Sequence, residues 1–482
     1  MRLSQLVQRE LPVDPEITGV TADSRRVKPG YLFAALPGAK ADGRAYVEAA
    51  LAAGAAAVLA PEAVEGVAAP VVEAADTRRA YALAAAAFWG EQPKTCVAVT
   101  GTNGKTSVAT FCRQIFAHGG HATGSMGTLG VTVSRPNATD AQVTPPGLTT
   151  PDAADVAEML ARLAGEGVTH MAMEASSHGV DQRRLDGVTL AAAGFTNLTQ
   201  DHLDYHGDMA TYRDAKLRLF NTLLPQSAAA VLNADSDAFE AFKSAAAGRR
   251  LLTVGRAGEA IRLVARTPVP DGQGLVLEID GRRYDVRLPL AGAFQAENVL
   301  VAAGLALAVG EPLDGVMAAL EALKGAPGRL QRVGAGRNGG EAYVDYAHTP
   351  DGLETVLSAL RPHVAGKLIV VFGAGGDRDR TKRPLMGAAA TRLADVAIVT
   401  DDNPRSEAPA SIRAAILAAA PGAREIGDRR EAIAAGVALL GEGDVLVVAG
   451  KGHEQGQMIA GVNHPFDDVT VTAQALSGEA LQ

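Results

Sequence analysis

A glycine-rich segment near the end of the first fifth of the chain carries residue types that bind phosphate. Residues 94–112 read KTCVAVTGTNGKTSVATFC, an apolar run followed by a glycine loop, a Lys-Thr-Ser triplet and a helical pattern. In such a loop the lysine ammonium reaches β- and γ-phosphates, and the threonine hydroxyl ligates Mg²⁺. The sequence therefore predicts an ATP site formed by Gly101, Thr102, Asn103, Gly104, Lys105, Thr106 and Ser107.

The glycine loop is a shortened variant of the usual G-x-x-x-x-G-K-[ST] pattern. Val99 stands five residues before Gly104, and the first loop glycine is Gly101. A chance Gly-Lys-Thr at the start of a helix is the competing interpretation. The strand, turn and helix around the triplet favour nucleotide binding, because a helix N-terminus presents unpaired N–H groups to an anion.

Apolar runs and helical patterns alternate through most of the chain, which predicts an α/β protein with a mostly parallel, doubly wound sheet. DG dipeptides near residues 271 and 280 indicate antiparallel hairpins, and a glycine- and proline-rich stretch, KGAPGRL, precedes a second alternating region. We predict three domains with approximate boundaries 1–91, 92–327 and 328–482. Ligands of such sheets collect beyond the carboxyl ends of the strands.

Two polar clusters follow predicted strands of the central region. Glu174 ends one strand and suits a Mg²⁺ ligand opposite Thr106, although a glutamate that caps the next helix is a real competitor. The segment TNLTQDHLDYHG follows another strand, and its spacing gives weak evidence for zinc. His202 in this segment is a metal contact, a neighbour of the metal or a structural residue.

A helical pattern after this segment places Tyr212, Lys216 and Phe220 on one face. Taken alone, a lysine at such a position is more often a surface residue whose alkyl chain lies along the helix.

The bulk properties limit the classes of partner. A chain of 482 residues with 47% hydrophobic and 21% charged residues is globular and long enough for two to three domains. Its net charge of −9 argues against nucleic acid or an anionic membrane as the main partner. The two cysteines, Cys96 and Cys112, form no disulfide framework, and no signal peptide or membrane span is evident. We expect a soluble, cytoplasmic protein.

The motifs GTNGKTS, EASSHGVDQRR, FTNLTQDHLDYHG, GAFQAENV, GRLQ, VDYAHTPD, FGAGGDRD, DDNPR and GKGHE occur in this order and resemble the Mur ligase family from end to end. The resemblance implies an N-terminal UDP-binding domain, a central P-loop ATPase domain and a C-terminal Rossmann-like domain. It also implies a role in cytoplasmic peptidoglycan synthesis, with ATP and Mg²⁺, and we expect the protein to be a monomer. ATP would phosphorylate the D-glutamate γ-carboxylate of UDP-N-acetylmuramoyl-L-alanyl-D-glutamate, and an amine would then displace phosphate.

The resemblance also implies site residues. Lys216 matches a lysine that the family carbamylates, which replaces the surface interpretation. The implied catalytic residues are Lys105, Glu174, His202, Lys216, Arg329 and His348, and the implied metal-binding set is Thr106, Glu174, His202 and Lys216. Asn298, Arg329 and Asp345 would contact the nucleotide. The muramoyl nucleotide would contact Ser24, Ala39, Lys40, Ala41, Thr149, Thr150, Ser176, Gln182 and Arg184.

The DDNPR motif accompanies meso-diaminopimelate in the family, where its arginine would pair with the distal carboxylate that lysine lacks. The expected contacts of that amino acid are Arg378, Asp402, Asn403, Pro404, Arg405, Gly450 and Glu454. A ligase specific for L-lysine, a folylpolyglutamate synthase and a P-loop regulatory protein are the alternatives.

Overall fold

The structure is a computed structural model that describes residues 1–38, 42–269 and 271–478. Ala39, Lys40 and Ala41, three of the predicted substrate contacts, lie outside the described residues. The described chain divides into two compact units, Met1–Ala260 with Val301–Val316 and Ile261–Leu300 with Met317–Gln482.

The first unit carries the glycine loop. Its strands are β1 (Gly19–Thr21), β2 (Tyr31–Ala34), β3 (Ala57–Ala60), β4 (Val71–Glu73), β5 (Thr95–Thr100), β6 (Thr123–Gly127), β7 (Gly130–Ser134), β8 (Ala141–Thr144), β9 (His170–Glu174), β10 (Ala192–Phe195), β11 (Ala229–Asn233) and β12 (Arg250–Gly255). Its helices are α1 (Leu3–Val7), α2 (Val47–Ala52), α3 (Thr77–Trp89), α4 (Lys105–His118), α5 (Ala153–Gly165), α6 (Ser177–Asp181), α7 (Leu203–His206), α8 (Met209–Arg218) and α9 (Phe239–Ala245).

Two sheets organise this first unit. A parallel sheet of order β1-β2-β3-β4 covers the N-terminal region. The larger sheet runs β12-β11-β10-β5-β9-β6-β7-β8, with parallel pairing from β12 to β6 and antiparallel pairing beyond. Strands β9, β10 and β11 are buried at every residue, as expected for a parallel sheet covered on both faces. The predicted parallel sheet is confirmed.

The second unit has its own parallel sheet. Helices α10 (Ala293–Ala308) and α11 (Leu313–Glu321) contain residues of both units. The strands of the second unit are β13 (Ile261–Val269), β14 (Gly272–Ile279), β15 (Arg282–Leu288), β16 (Gln331–Ala335), β17 (Glu341–Asp345), β18 (Leu368–Phe372), β19 (Val396–Val399), β20 (Arg424–Glu425), β21 (Val445–Ala449), β22 (Gly456–Ile459) and β23 (Val462–Pro465). Its other helices are α12 (Pro350–Leu360), α13 (Lys382–Leu393), α14 (Pro409–Leu417), α15 (Arg429–Ala438) and α16 (Asp468–Ser477).

The strand pairing of the second unit agrees with the sequence pattern. Strands β13, β14 and β15 form consecutive antiparallel hairpins, as the DG dipeptides predict. The remaining sheet has the order β16-β17-β21-β18-β19-β20 and is parallel except for β16. The carboxyl ends of β17, β18, β19 and β21 therefore meet at one edge, which is where the polar motifs of this region begin.

Within the described ranges, every helix is too short or too polar to traverse a lipid bilayer.

Candidate functional site

The glycine loop connects β5 to α4, and its two glycines are required by its shape. Gly101 has φ +153°, and a Cβ there would lie 1.9 Å from the Thr196 hydroxyl oxygen. Gly104 has φ +88° and precedes the first residue of α4. A larger residue at either position would clash or strain the backbone, so the loop can turn tightly only with glycine. The predicted strand, turn and helix are confirmed.

Side chains of the neighbouring strand end hold the loop in place. The Thr102 backbone N–H donates to the Asn197 carbonyl at 2.9 Å, and the Thr196 hydroxyl donates to the Asn103 carbonyl at 2.6 Å. The Thr102 hydroxyl lies 3.1 Å from that of Tyr212. The polar segment after β10 thus supports the phosphate loop directly.

Two lysines meet at the Gly101 carbonyl oxygen. The ammonium groups of Lys105 and Lys216 each donate to it at 2.8 Å, and Lys105 also donates to the Thr102 carbonyl. Two cations on one carbonyl repel each other, and this arrangement favours a bound anion or the loss of one charge.

Lys216 is buried, with 1% of its surface exposed, and Tyr212 and Phe220 on the same face are fully buried. The predicted shared face is confirmed, and the surface-lysine interpretation is wrong. Lys216 stands in α8 just before a π-helical turn, Leu219–Leu223, and its Nζ lies 4.5 Å from the centroid of the Tyr212 ring. Burial, and secondarily the charge of Lys105, lowers the pKa of Lys216 well below its usual range.

Glu174, at the end of β9, faces the first turn of α4. It accepts hydrogen bonds from the Thr106 hydroxyl at 3.0 Å and from the Thr128 backbone N–H at 2.8 Å. The following helix α6 is capped by the Ser176 hydroxyl instead, so the alternative in which Glu174 caps it is wrong. Thr106 and Glu174 present hard oxygen donors side by side, which is the donor chemistry that Mg²⁺ prefers.

His202 lies in the polar segment after β10. Its side chain is 46% exposed, and its Nε2 lies 3.3 Å from an oxygen of Asp201. Its ring packs edge-on against His178, with the centroids 4.9 Å apart. The structure therefore places His202 in an aromatic cluster beside the loop, and its role as a metal contact stays a prediction.

The predicted muramoyl contacts of the central region form one hydrogen-bonded chain. The Thr150 hydroxyl donates to the Glu174 carbonyl at 2.8 Å and lies 3.0 Å from the Ser176 hydroxyl. Arg184 donates to the Thr150 carbonyl at 2.6 Å and to the Gln182 side chain at 2.7 Å. This series of hydrogen bonds begins at the backbone carbonyl of Glu174, whose carboxylate accepts a hydrogen bond from Thr106.

Thr149 joins the same chain of contacts. Its hydroxyl lies 2.9 Å from that of Thr128, whose backbone N–H donates to Glu174. A ligand held by these hydroxyls would therefore be linked through one carboxylate to the glycine loop.

Ser24 lines an open cavity of about 680 Å³ in the first unit. The cavity is bounded by Thr21, Ala22, Asp23, Ser24, Arg25, Arg26, Tyr46, Asp152 and Asp155. Arg25 donates two hydrogen bonds to Asp23, and this lowers the pKa of Asp23 to about 2. Arg26 is likewise paired with Asp155 at 2.8 Å, so both arginines of the lining have carboxylate partners, and the cavity is large enough for a small-molecule ligand.

In the second unit, the predicted nucleotide contacts surround the end of β17. Asp345 accepts hydrogen bonds from the backbone N–H groups of Leu330 at 2.6 Å and Ala347 at 2.7 Å. The guanidinium carbon of Arg329 lies 4.9 Å from the centroid of the Tyr346 ring. Burial raises the pKa of Asp345, while the Arg329 charge opposes this.

Asn298 and His348 complete this group in the second unit. The Asn298 amide donates to Gln295 at 3.4 Å, and Gln295 donates to the Arg329 carbonyl at 3.0 Å. His348 Nδ1 lies 2.8 Å from the Tyr346 carbonyl, so this nitrogen carries the proton and Nε2 is left as the acceptor.

The polar motifs after β19 and β21 converge at the carboxyl edge of their sheet, as predicted. The Asn403 amide donates to Glu454 at 2.8 Å, and the fully buried Lys451 donates to the Asn403 oxygen at 2.8 Å. The Lys451 ammonium lies 3.5 Å from a carboxylate oxygen of Asp402 and 3.5 Å from one of Glu454. The group presents a carboxylate and an amide oriented by a buried cation, a combination suited to a substrate ammonium.

Arg405 lies beside this group, with a positive φ of 54°. It donates to the Gly376 carbonyl at 2.7 Å, and a Cβ at Gly375 would lie 2.8 Å from its guanidinium nitrogen. The backbone N–H of Gly376 donates to the Asn403 carbonyl at 2.9 Å. The Gly375-Gly376 segment after β18 thus holds the DDNPR loop in place and leaves room for the Arg405 guanidinium.

The other predicted amino-acid contacts are placed around the same edge. Gly450 has φ +123°, and a Cβ there would lie 3.5 Å from an Asp402 oxygen. Pro404 is buried, whereas Arg378 is exposed and its Cγ lies near Gly375.

We expect Glu407→Gln to destabilise the second unit near neutral pH. Glu407 accepts hydrogen bonds from Arg383 at 2.8 and 3.1 Å and from the Asp377 backbone at 2.7 Å, and these lower its pKa from 4.5 to about 2. Because the folded-state pKa is depressed, this stabilisation is complete above the unfolded-state pKa and is lost as the pH falls toward about 2.

The measurement is the thermal midpoint of unfolding from about pH 7 to about pH 3. The gap between wild type and Glu407→Gln should narrow below the unfolded-state pKa of 4.5. Glu442→Gln, at an exposed glutamate, should follow wild type. A gap that is constant over this range would contradict the role of the Glu407 charge.

Sequence reasoning missed two groups. Arg429 and Asp468 form an ion pair with both side chains fully buried, and Arg429 also donates to the Ala449 carbonyl beside the amino-acid crevice. His121, His170 and Glu311 meet in the first unit although they are far apart in the chain. No local motif marks either group, since their members come together only through the sheet topology.

Comparisons with known proteins cover nearly the whole chain. Residues 16–102 match the Mur ligase family catalytic domain, residues 99–306 the Mur ligase middle domain, and residues 328–452 the Mur ligase glutamate ligase domain. A protein of Caulobacter vibrioides named UDP-N-acetylmuramoyl-L-alanyl-D-glutamate–2,6-diaminopimelate ligase is 71% identical over 99% of both chains. A protein of the same name from Mesorhizobium japonicum is 54% identical over 98% of both.

A solved structure of a protein with that name superposes with a TM-score of 0.77, at 34% identity and 99% coverage of both chains. Its fold is the three-domain Mur ligase architecture, which agrees with the α/β organisation described above. Three consecutive domain matches, full-length relatives and the glycine loop with its supporting strand ends all lead to one conclusion: this chain belongs to the Mur ligase family.

Proposed function

We propose that this chain is an ATP-dependent ligase that joins meso-2,6-diaminopimelate to the D-glutamate γ-carboxyl of UDP-N-acetylmuramoyl-L-alanyl-D-glutamate. The main support is the 71% identity, over 99% of both chains, to a relative that bears the name of this reaction. The crevice of Asn403, Arg405 and Glu454 adds support, because it offers both a cation and a carboxylate to an amino acid with two charged ends.

The proposed reaction has two steps. A γ-carboxylate oxygen attacks the γ-phosphorus of ATP, and ADP leaves with the electrons of the broken bond. The amine then attacks the acyl carbon, phosphate departs and the amine loses a proton. Activation is needed because a carboxylate has no good leaving group at neutral pH, and the protein's task is mainly to position anions and offset their charge.

The residues of the first unit take the phosphate side of this reaction. Lys105 and the loop N–H groups bind the β- and γ-phosphates. Thr106 and Glu174 offer the oxygen donors for Mg²⁺, with His202 as a further proposed contact. When bound, Mg²⁺ neutralises phosphate charge during transfer.

Lys216 acts as a carbamate in this proposal. Burial lowers the pKa of the Lys216 amine, so the amine loses its proton more readily and can attack CO₂, forming an N–C bond and releasing one proton. The product places a carboxylate beside the Lys105 ammonium, and the repulsion between the two lysines becomes an attraction.

The substrates divide between the other described groups. Ser24, Thr149, Thr150, Ser176, Gln182 and Arg184, together with residues 39–41, bind the muramoyl nucleotide. Asn298, Arg329, Asp345 and His348 contact ATP. Arg378, Asp402, Asn403, Pro404, Arg405, Gly450 and Glu454 bind diaminopimelate. We further propose domain boundaries near residues 91 and 327, a monomer and a cytoplasmic location.

Phosphate release tests the proposed function directly. With ATP, Mg²⁺ and UDP-N-acetylmuramoyl-L-alanyl-D-glutamate present, meso-diaminopimelate should drive release, and mass spectrometry should detect the tripeptide product. L-Lysine should drive little release. Turnover with lysine in preference to diaminopimelate would assign a lysine ligase. ATP turnover that requires neither the muramoyl nucleotide nor an amino acid would overturn the ligase assignment.

A further inference from the structure

Three side chains that the proposed reaction does not use converge in the first unit, on the sheet edge opposite the glycine loop. His170 is the first residue of β9, whose last residue is Glu174. His121 follows α4, and Glu311 lies between α10 and α11. One ligand atom from each residue lies within 4.8 Å of those of the other two.

The carboxylate of Glu311 faces both imidazoles. Its Oε1 lies 2.9 Å from His121 Nε2 and 3.8 Å from His170 Nε2. The two rings lie with their centroids 3.9 Å apart, and the Phe116 ring covers His170 at 5.0 Å. The Glu311 side chain is only 8% exposed, so its charge must be compensated locally.

Hydrogen bonding is compatible with a His170 tautomer that carries its proton on Nδ1. In that tautomer, His170 Nδ1 donates to the Thr169 hydroxyl 2.9 Å away, and this hydroxyl donates to the Ala122 carbonyl at 3.2 Å. His170 Nε2 therefore presents a lone pair toward the Glu311 oxygen.

In that tautomer, the nitrogen lone pair and the Glu311 carboxylate oxygen, 3.8 Å apart, repel each other, and a cation between them would turn the repulsion into an attraction. We propose that His121, His170 and Glu311 bind a divalent transition-metal ion of the Zn²⁺ class. Two imidazole nitrogens and one carboxylate oxygen select such an ion over Mg²⁺. Ligand atoms around tetrahedral Zn²⁺ lie about 3.3 Å apart, as follows from bond lengths near 2.0 Å, and small side-chain shifts would bring the three atoms to that spacing.

Neighbouring residues orient the proposed ligands and leave the site accessible to an ion. The hydrogen bond from His170 Nδ1 to Thr169 orients the ring, as outer contacts do for metal-bound histidines. A Cβ at Gly119 would lie 2.6 Å from Glu311 Oε2, so glycine there gives the carboxylate room. The His121 side chain is 35% exposed, which leaves a path for the ion and a place for a water ligand. The metal would link the α4–β6 connection, β9 and the α10–α11 connection.

The test uses the full chain, stripped of metal with a chelator and titrated with Zn²⁺ and separately with Co²⁺ in excess Mg²⁺. We expect one Zn²⁺ site, visible Co²⁺ bands of a four- or five-coordinate ion and a raised thermal midpoint. His121→Ala and Glu311→Gln should each weaken Zn²⁺ binding by at least about tenfold. His118→Ala removes an exposed imidazole three residues away and should match wild type.

Two further variants make the result decisive. His202→Ala removes the histidine proposed to contact Mg²⁺ and should leave Zn²⁺ affinity unchanged. Gly119→Ala should weaken Zn²⁺ binding without removing a ligand, because it displaces the carboxylate. Absence of Zn²⁺ binding in excess Mg²⁺, or equal binding by wild type, His121→Ala and Glu311→Gln, would overturn the proposal. None of these outcomes depends on the proposed ligase reaction.

Discussion

Lys216→Ala is expected to reduce phosphate release with all substrates present by about 10²- to 10³-fold, the scale of losing one preorganised charged group. The variant removes the buried amine that donates to the Gly101 carbonyl and, in the proposal, its carbamate. Short carboxylic acids should restore part of the activity, because they can place a carboxylate in the space left by the side chain.

Two comparison variants separate this effect from loss of the fold. Lys243→Ala, at a half-exposed lysine of α9, should keep wild-type activity. Lys216→Arg keeps a cation but cannot form the carbamate, and it should be inactive and unresponsive to added acids. Full activity of Lys216→Ala without any acid would remove Lys216 from the mechanism.

The sequence allowed the parallel strands to be predicted because they are buried on both faces and therefore appear as continuous apolar runs. Strands β9 and β5 illustrate this, since β9 ends at Glu174 and β5 leads directly into the glycine loop. The hairpins near residues 271 and 280 were equally predictable from their turn residues.

The environment of individual side chains could not be predicted in the same way. Lys216 follows a helical pattern common to surface lysines, and only the packing of α8 under the glycine loop makes it buried. His121, His170 and Glu311 carry no shared spacing, because their proximity depends on how strand β9 lies beside two loops distant in sequence. The local sequence pattern predicts helices and strands. The partners of a charged side chain depend instead on the sheet topology that brings distant segments of the chain together.

Arg405→Ala is expected to lower kcat/KM for meso-diaminopimelate by about 30-fold or more, toward the value for L-lysine. Removing one partner of a desolvated, hydrogen-bonded charge pair costs about 2 to 5 kcal/mol, and that cost lowers kcat/KM accordingly. The Arg405 guanidinium is already positioned by the Gly376 carbonyl, so little ordering is needed when a carboxylate binds. The value for L-lysine should stay as in wild type, since lysine lacks the distal carboxylate.

The geometry of the guanidinium, rather than its charge alone, should carry this selectivity. Arg405→Lys keeps the charge but loses the two parallel hydrogen bonds, so it should recover only part of the preference for diaminopimelate. Arg424→Ala, at an exposed arginine of β20, should behave as wild type. If Arg405→Ala slowed diaminopimelate and lysine equally, Arg405 would support the fold of the crevice or the chemistry, and the selectivity would have to reside in Asn403 and Glu454, which the buried Lys451 holds together.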